Sequence, residues 1–127
     1  MTKIFCDIAD INLIKKFNKK KIVKGFTTNP TLMRKAGIKD YKKFAKELLS
    51  HIEQKPISFE VFSDNFDEME RQALEISSWA TNVYVKIPIT NTKSIPCHKI
   101  VKTLSDQGIK LNITAIMNLD QTRKVLW

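Results

Sequence analysis

Five short β-prone runs, each followed by a stretch of helical period, constrain this chain more than any other feature of its sequence. The runs occupy 3–7, 25–29, 56–61, 82–88 and 110–114, where β-branched and aromatic residues cluster. Segment 10–20 carries Ile11, Ile14 and Phe17 on one face, and 40–53 repeats the pattern with Tyr41, Phe44, Leu48 and Ile52. Behind Ser63 and Asp64, which suit an N-cap, Phe66, Met69, Ala73, Ile76 and Ala80 fall at steps of 3, 4, 3 and 4. A fourth helix is predicted over 94–107, with Pro96 in its first turn and Gly108 just past its end. A fifth begins near Leu119 and runs to the last residue, Trp127.

Strict β-α alternation of this kind predicts a parallel sheet with helical crossovers, either doubly wound or closed into a barrel. The phosphate loops of doubly wound folds are missing: there is no GxGxxG and no Walker lysine, and the chain has only 3 Gly. A barrel is therefore expected, as one domain over 1–127.

Each predicted strand delivers a polar or charged residue at or just past its C-terminal end. These are Asp7, then Thr27 with Thr28 and Asn29, then Glu60, then Lys86, then Asn112 with Thr114. In parallel α/β folds that edge is where ligands bind, because its loops vary while the opposite edge serves stability. Alternation sharpens the case for Lys86. With Val83, Val85 and Ile87 turned toward the helices, Tyr84 and Lys86 point into the barrel. An ammonium there is costly unless its pKa falls or a carboxylate answers it. The same period places Glu60 and Asp7 on the inner face, so two acids and one amine converge.

A desolvated amine attacks a carbonyl and forms an iminium, which withdraws electrons from the adjacent carbon–carbon bond. Aldol chemistry by this route also needs a group to move the hydroxyl proton, a role for Asp7 or Glu60. Plainer readings stand beside this one. Either acid also suits a helix cap. Thr27, Thr28 and Asn29 before Pro30 also suit a turn and cap. The basic run from Lys15 to Lys21 suits a solvated helix end.

The balance of 22 basic against 13 acidic residues, +9 overall, raises the question of a polyanion partner. Nineteen of those cations are Lys and only Arg34, Arg71 and Arg123 are Arg. Base-edge and bidentate phosphate reading favours Arg, so no nucleic-acid partner is expected, whereas small anionic substrates are. Cys6 and Cys97 have no metal-like spacing and stand apart from His51 and His98, so they read as reduced thiols with no metal site. No apolar stretch approaches the roughly 20 residues of a membrane helix. Asp7 falls where a signal peptide would be apolar, so no export and a cytoplasmic location are expected.

Four segments carry a resemblance: Ile4-Phe5-Cys6-Asp7-Ile8-Ala9-Asp10, Gly25-Phe26-Thr27-Thr28-Asn29-Pro30-Thr31-Leu32, Val85-Lys86-Ile87-Pro88-Ile89-Thr90 and Leu111-Asn112-Ile113-Thr114-Ala115. In order and spacing they resemble the transaldolase family, specifically its small-chain branch, which also contains fructose-6-phosphate aldolase. The resemblance implies a (β/α)₈ barrel in which Lys86 forms the Schiff base with a ketose phosphate and Asp7 is the general acid/base. It implies that Glu60 works through a catalytic water positioned by Thr114, that Thr27 and Asn29 contact substrate, and that Asn112 holds its hydroxyls. Glutamate rather than glutamine at position 60 tilts the implied reaction toward dihydroxyacetone transfer. The reaction so implied converts sedoheptulose 7-phosphate and glyceraldehyde 3-phosphate to erythrose 4-phosphate and fructose 6-phosphate in the pentose phosphate pathway, with neither metal nor organic cofactor.

A barrel of this kind takes about 250 residues, so the expected architecture is partial: the first five βα units. The serine and arginines that grip the sugar phosphate in the family fall outside these units. Two alternatives stay open: fructose 6-phosphate cleavage by the same imine, and a noncatalytic basic fragment that binds polyanions or a partner subunit. A homo-oligomer is compatible with either.

Overall fold

The computed structural model describes residues 1–126; Trp127, where the sequence reading ends the last helix, lies outside the described residues. The strands are β1 (Ile4–Asp7), β2 (Val23–Thr27), β3 (Ile57–Glu60), β4 (Val83–Pro88) and β5 (Leu111–Thr114). The helices are α1 (Ile11–Asn18), α2 (Pro30–Lys35), α3 (Tyr41–His51), α4 (Phe66–Ser77), α5 (His98–Asp106) and α6 (Leu119–Arg123). All neighbouring strands pair in parallel, in the order β1-β2-β3-β4-β5. The sheet curls into a half-barrel with helices between its strands, the partial α/β barrel expected.

Alternation along each strand decides what is buried. Ile57, Phe59, Val83, Val85 and Ile87 face the helices and are all 3% exposed or less. They meet Ile14 of α1, Leu48 of α3, Met69 and Ala73 of α4, and Leu104 of α5, which form one core cluster. The opposite, concave face carries Phe5, Asp7, Thr27, Ser58, Glu60, Tyr84, Lys86 and Asn112. Its curvature is visible in one bond: the Asn112 Nδ2 donates to Ser58 Oγ at 3.0 Å although β4 lies between their strands. Two strand spacings in a flat sheet would separate them by about 9–10 Å.

The N-terminal ends of the strands are closed by side chains that satisfy backbone carbonyls. The Lys55 ammonium donates to the Asn18 and Lys20 carbonyls, Asn82 Nδ2 to those of Ile52 and Lys55, and Lys110 to that of Thr81. Each of these residues lies one or two positions before a strand, so this edge holds the layers together.

Three local expectations are corrected. The second strand ends at Thr27 rather than Asn29, because Asn29 caps a helix absent from the sequence reading: its Oδ1 accepts the Leu32 N–H at 2.8 Å and Pro30 opens α2. The cap of α4 is Asn65, which accepts the Glu68 N–H, while Ser63 supports Asn65 and Asp64 turns away to Thr92. Pro96 stands outside α5, held in an antiparallel bridge with Thr90, so the helix begins two residues later. Gly108 does follow α5 in the left-handed region, φ 79°, where a side chain would be strained.

Candidate active site

Register sets the first level of organisation. Glu60 pairs with Lys86 and Lys86 with Asn112, so these three stand in one row across β3, β4 and β5. Asp7 pairs with Thr27 and Thr27 with Ser58, a second row one step nearer the N-terminal edge. Because alternate residues share a face, both rows project from the concave side.

The Lys86 side chain is 13% exposed and that of Glu60 is 19% exposed, with Nζ 3.7 Å from Oε2. The carboxylate that a buried amine requires is thus present on the neighbouring strand. Burial pushes the Glu60 carboxyl above its ordinary range; attraction to Lys86 works against this, and the nearby Asp7 charge adds to it. Glu60 therefore holds its proton to higher pH than a solvated carboxyl does. Asp7 stands on edge strand β1, exposed, and accepts the Thr27 hydroxyl at 2.9 Å.

Asp7, Asn29, Glu60 and Lys86 line one cavity of about 570 Å³, within the roughly 300–1,000 Å³ of small-molecule sites. Thr27 and Asn112 line an adjoining concavity of about 510 Å³ with Ser58 and Tyr84. Thr114 is half-buried on the same face as Asn112, paired with Pro88, and has no side-chain hydrogen bond among the described residues. The structure therefore brings Lys86, Glu60, Asp7 and Asn29 to one cavity and Thr27 and Asn112 to its neighbour, whereas Thr114 lines neither. The structure shows Asn29 in the capping role that the sequence left open. Its Oδ1 accepts the capping N–H, while its side chain also lines the cavity.

Two contributors were not legible beforehand. Tyr41, read as a core residue of its helix, reaches across and donates its hydroxyl to the Glu60 carbonyl oxygen at 3.0 Å. Its ring packs on Phe59, Phe62 and Trp79, and burial drives its pKa far up, so it stays a neutral donor that fixes the end of β3. Asp64 joins the loops after β3 and β4 by accepting both the N–H and the hydroxyl of Thr92 at 2.7 Å. Hydrogen bonds across distant loops leave no periodic trace in a sequence.

A buried amine beside a carboxyl, with a second acid in the same cavity, is suited to forming and hydrolysing an imine while protons move locally. A probable transaldolase of Dehalococcoides mccartyi is 40% identical over 119 residues, covering 94% of this chain and 53% of that protein. Probable transaldolases of Methanococcus maripaludis and Streptococcus agalactiae match at the same identity and coverage. The chain spans about half the length of these curated relatives. The model of the transaldolase/fructose-6-phosphate aldolase family matches residues 4–127, so that both strand ends bearing Lys86 and Glu60 fall inside it, and the chain belongs to that family.

Proposed function

We propose that this chain carries the imine-forming centre of a transaldolase-type reaction, moving a three-carbon ketol unit from a ketose phosphate to an aldose phosphate. One observation carries the reading: the Lys86 amine, largely withdrawn from water, lies 3.7 Å from Glu60 in a cavity shared with Asp7. Glu60 accepts the lysine proton, and the free amine adds to the ketone carbon. Loss of water, with a proton returned through Glu60, leaves the iminium. Asp7 removes the proton from the hydroxyl two carbons further on. The bond joining that hydroxyl-bearing carbon to the carbon next to the iminium breaks, its electron pair enters the iminium to give an enamine, and the shorter aldose leaves.

The enamine then attacks the acceptor aldehyde, Asp7 returns its proton to the new hydroxyl, and water hydrolyses the iminium to restore the amine. In this scheme Thr27 orients Asp7 and contacts substrate, Asn29 and Asn112 hold substrate hydroxyls, and Thr114 positions the water that Glu60 serves. We read 1–127 as one domain acting on sugar phosphates in the cytoplasm. No helix among the described residues is long and apolar enough to cross a membrane.

Borohydride reduction in the presence of fructose 6-phosphate tests the reading. The expected result is a mass adduct on Lys86 that is lost in Lys86→Met. Absence of an adduct in folded protein overturns it. Dihydroxyacetone passed only to an acceptor aldehyde identifies transfer; its release into solution identifies the aldolase outcome.

A further inference from the structure

The hydrogen-bond ladder between β2 and β3 stops one step short of the site. The Phe26 N–H donates to the Pro56 carbonyl at 2.9 Å and the Thr28 N–H to the Ser58 carbonyl at 3.0 Å. The next step of two would set the N–H of position 30 against the Glu60 carbonyl. Residue 30 is a proline, which has no N–H, and it opens α2 rather than continuing the strand. The neighbouring strand therefore offers no donor to the Glu60 carbonyl, at the residue that faces Lys86.

Tyr41 fills this gap from α3, donating its hydroxyl to the Glu60 carbonyl at 3.0 Å. Its ring stands edge-on to Phe59 and Phe62, with centroids 6.2 and 4.6 Å away, a packing that a phenylalanine would meet as well. On the opposite side the Val61 N–H donates to the Lys86 carbonyl at 3.1 Å. Both polar groups of the peptide that follows Glu60 are thus engaged, which fixes its plane and the direction in which the Glu60 side chain leaves the backbone. The Lys86 amine lies 3.7 Å from the carboxylate so aimed. We propose that Tyr41 is a positioning residue: by supplying the donor that Pro30 lacks, it holds Glu60 against Lys86 for proton transfer. This rests on the Schiff-base reading above and adds to it the group that aims its proton carrier.

The experiment uses Tyr41→Phe in the full chain, which removes one oxygen and keeps the ring. Borohydride trapping with fructose 6-phosphate is followed across pH, well below the Tm. The maximal rate is expected to fall about tenfold, the cost of a small misplacement at a reacting centre, with the half-saturating concentration unchanged. The charged and titratable groups around Glu60 are Lys86 on β4, Asp7 on β1, Arg34 on α2 and Tyr41 itself. Of these only Tyr41 is altered, so the acidic limb of the profile reports Glu60. That limb should move down toward the ordinary 4.5 as the carboxyl swings into water. Asn82→Ala, which loosens the opposite edge of the sheet, should leave both rate and profile at parental values. A parental rate with an unmoved limb in Tyr41→Phe overturns the assignment while leaving the imine intact. Failure of Tyr41→Phe to fold also overturns it, since the hydroxyl would then hold the core rather than the site. If the folded parent shows no adduct, the Schiff-base reading fails by itself. Positioning is then judged from the Glu60 titration followed by carbon-13 NMR: a lowered midpoint in Tyr41→Phe supports it, and a midpoint that stays or rises overturns it.

Discussion

Glu60 shows how one side chain couples placement to chemistry. Its burial raises the cost of ionisation and Lys86 recovers only part of that cost, so its carboxyl titrates above the ordinary 4.5. The folded state thus binds this proton more tightly than the unfolded state. The associated stability is fully present below the ordinary value and is lost as pH rises through the shifted one. Asp64, held down by hydrogen bonds from Thr92, and Glu75, held down by Lys42, act in the opposite sense and cancel when variants are compared. The Tm difference between parent and Glu60→Gln should accordingly favour the parent most in acid and shrink toward neutrality. A difference that is flat or grows with pH refutes the electrostatic account. The inward placement of Glu60 and Lys86 was legible from period-two alternation alone. The Thr27–Asp7 and Tyr41–Glu60 bonds were not, because each joins residues about twenty positions apart on different elements.

At the level of elements, the alternation of strand and helix was readable because four helices are long enough to display an apolar face. Helix α2 was not, since six residues span fewer than two turns and give periodicity nothing to repeat. That omission also hid Arg34, whose place in the cavity follows from α2 beginning at Pro30. The proposed division of tasks between the two edges of the sheet separates stability from chemistry experimentally. Asn82 is partly buried and satisfies two backbone carbonyls at 2.8 and 2.9 Å at the N-terminal edge. Truncating it in Asn82→Ala should destabilise the chain by about 1–3 kcal/mol, since both acceptors lose their partner. Well below the lowered Tm, Lys86 should still be trapped at the parental rate. A loss of trapping in a folded Asn82→Ala protein contradicts that division.

Across the whole molecule, the helix-facing side of the sheet is closed and the concave side is open. Phe5 is 44% exposed on that face, Ile4 is equally exposed on the same edge strand, and β1 and β5 have no further strand beside them in the described sheet. Unpaired strand edges next to exposed apolar side chains favour association, while a formal charge of +9 opposes it. Salt decides which prevails: at about 0.15 M the screening length is near 8 Å, so repulsion between whole molecules fades while edge pairing and apolar contact persist. The 127-residue chain, expressed by itself, should therefore show a sedimentation mass that rises with protein concentration and rises further with salt. Phe5→Ser should reduce the association, because it removes an apolar ring from the open face and leaves the helix-side core untouched. A mass that stays monomeric at every concentration and salt would mean that curvature already protects the edges, with the Ser58–Asn112 bond drawing the inner side chains together strongly enough to deny a second chain access.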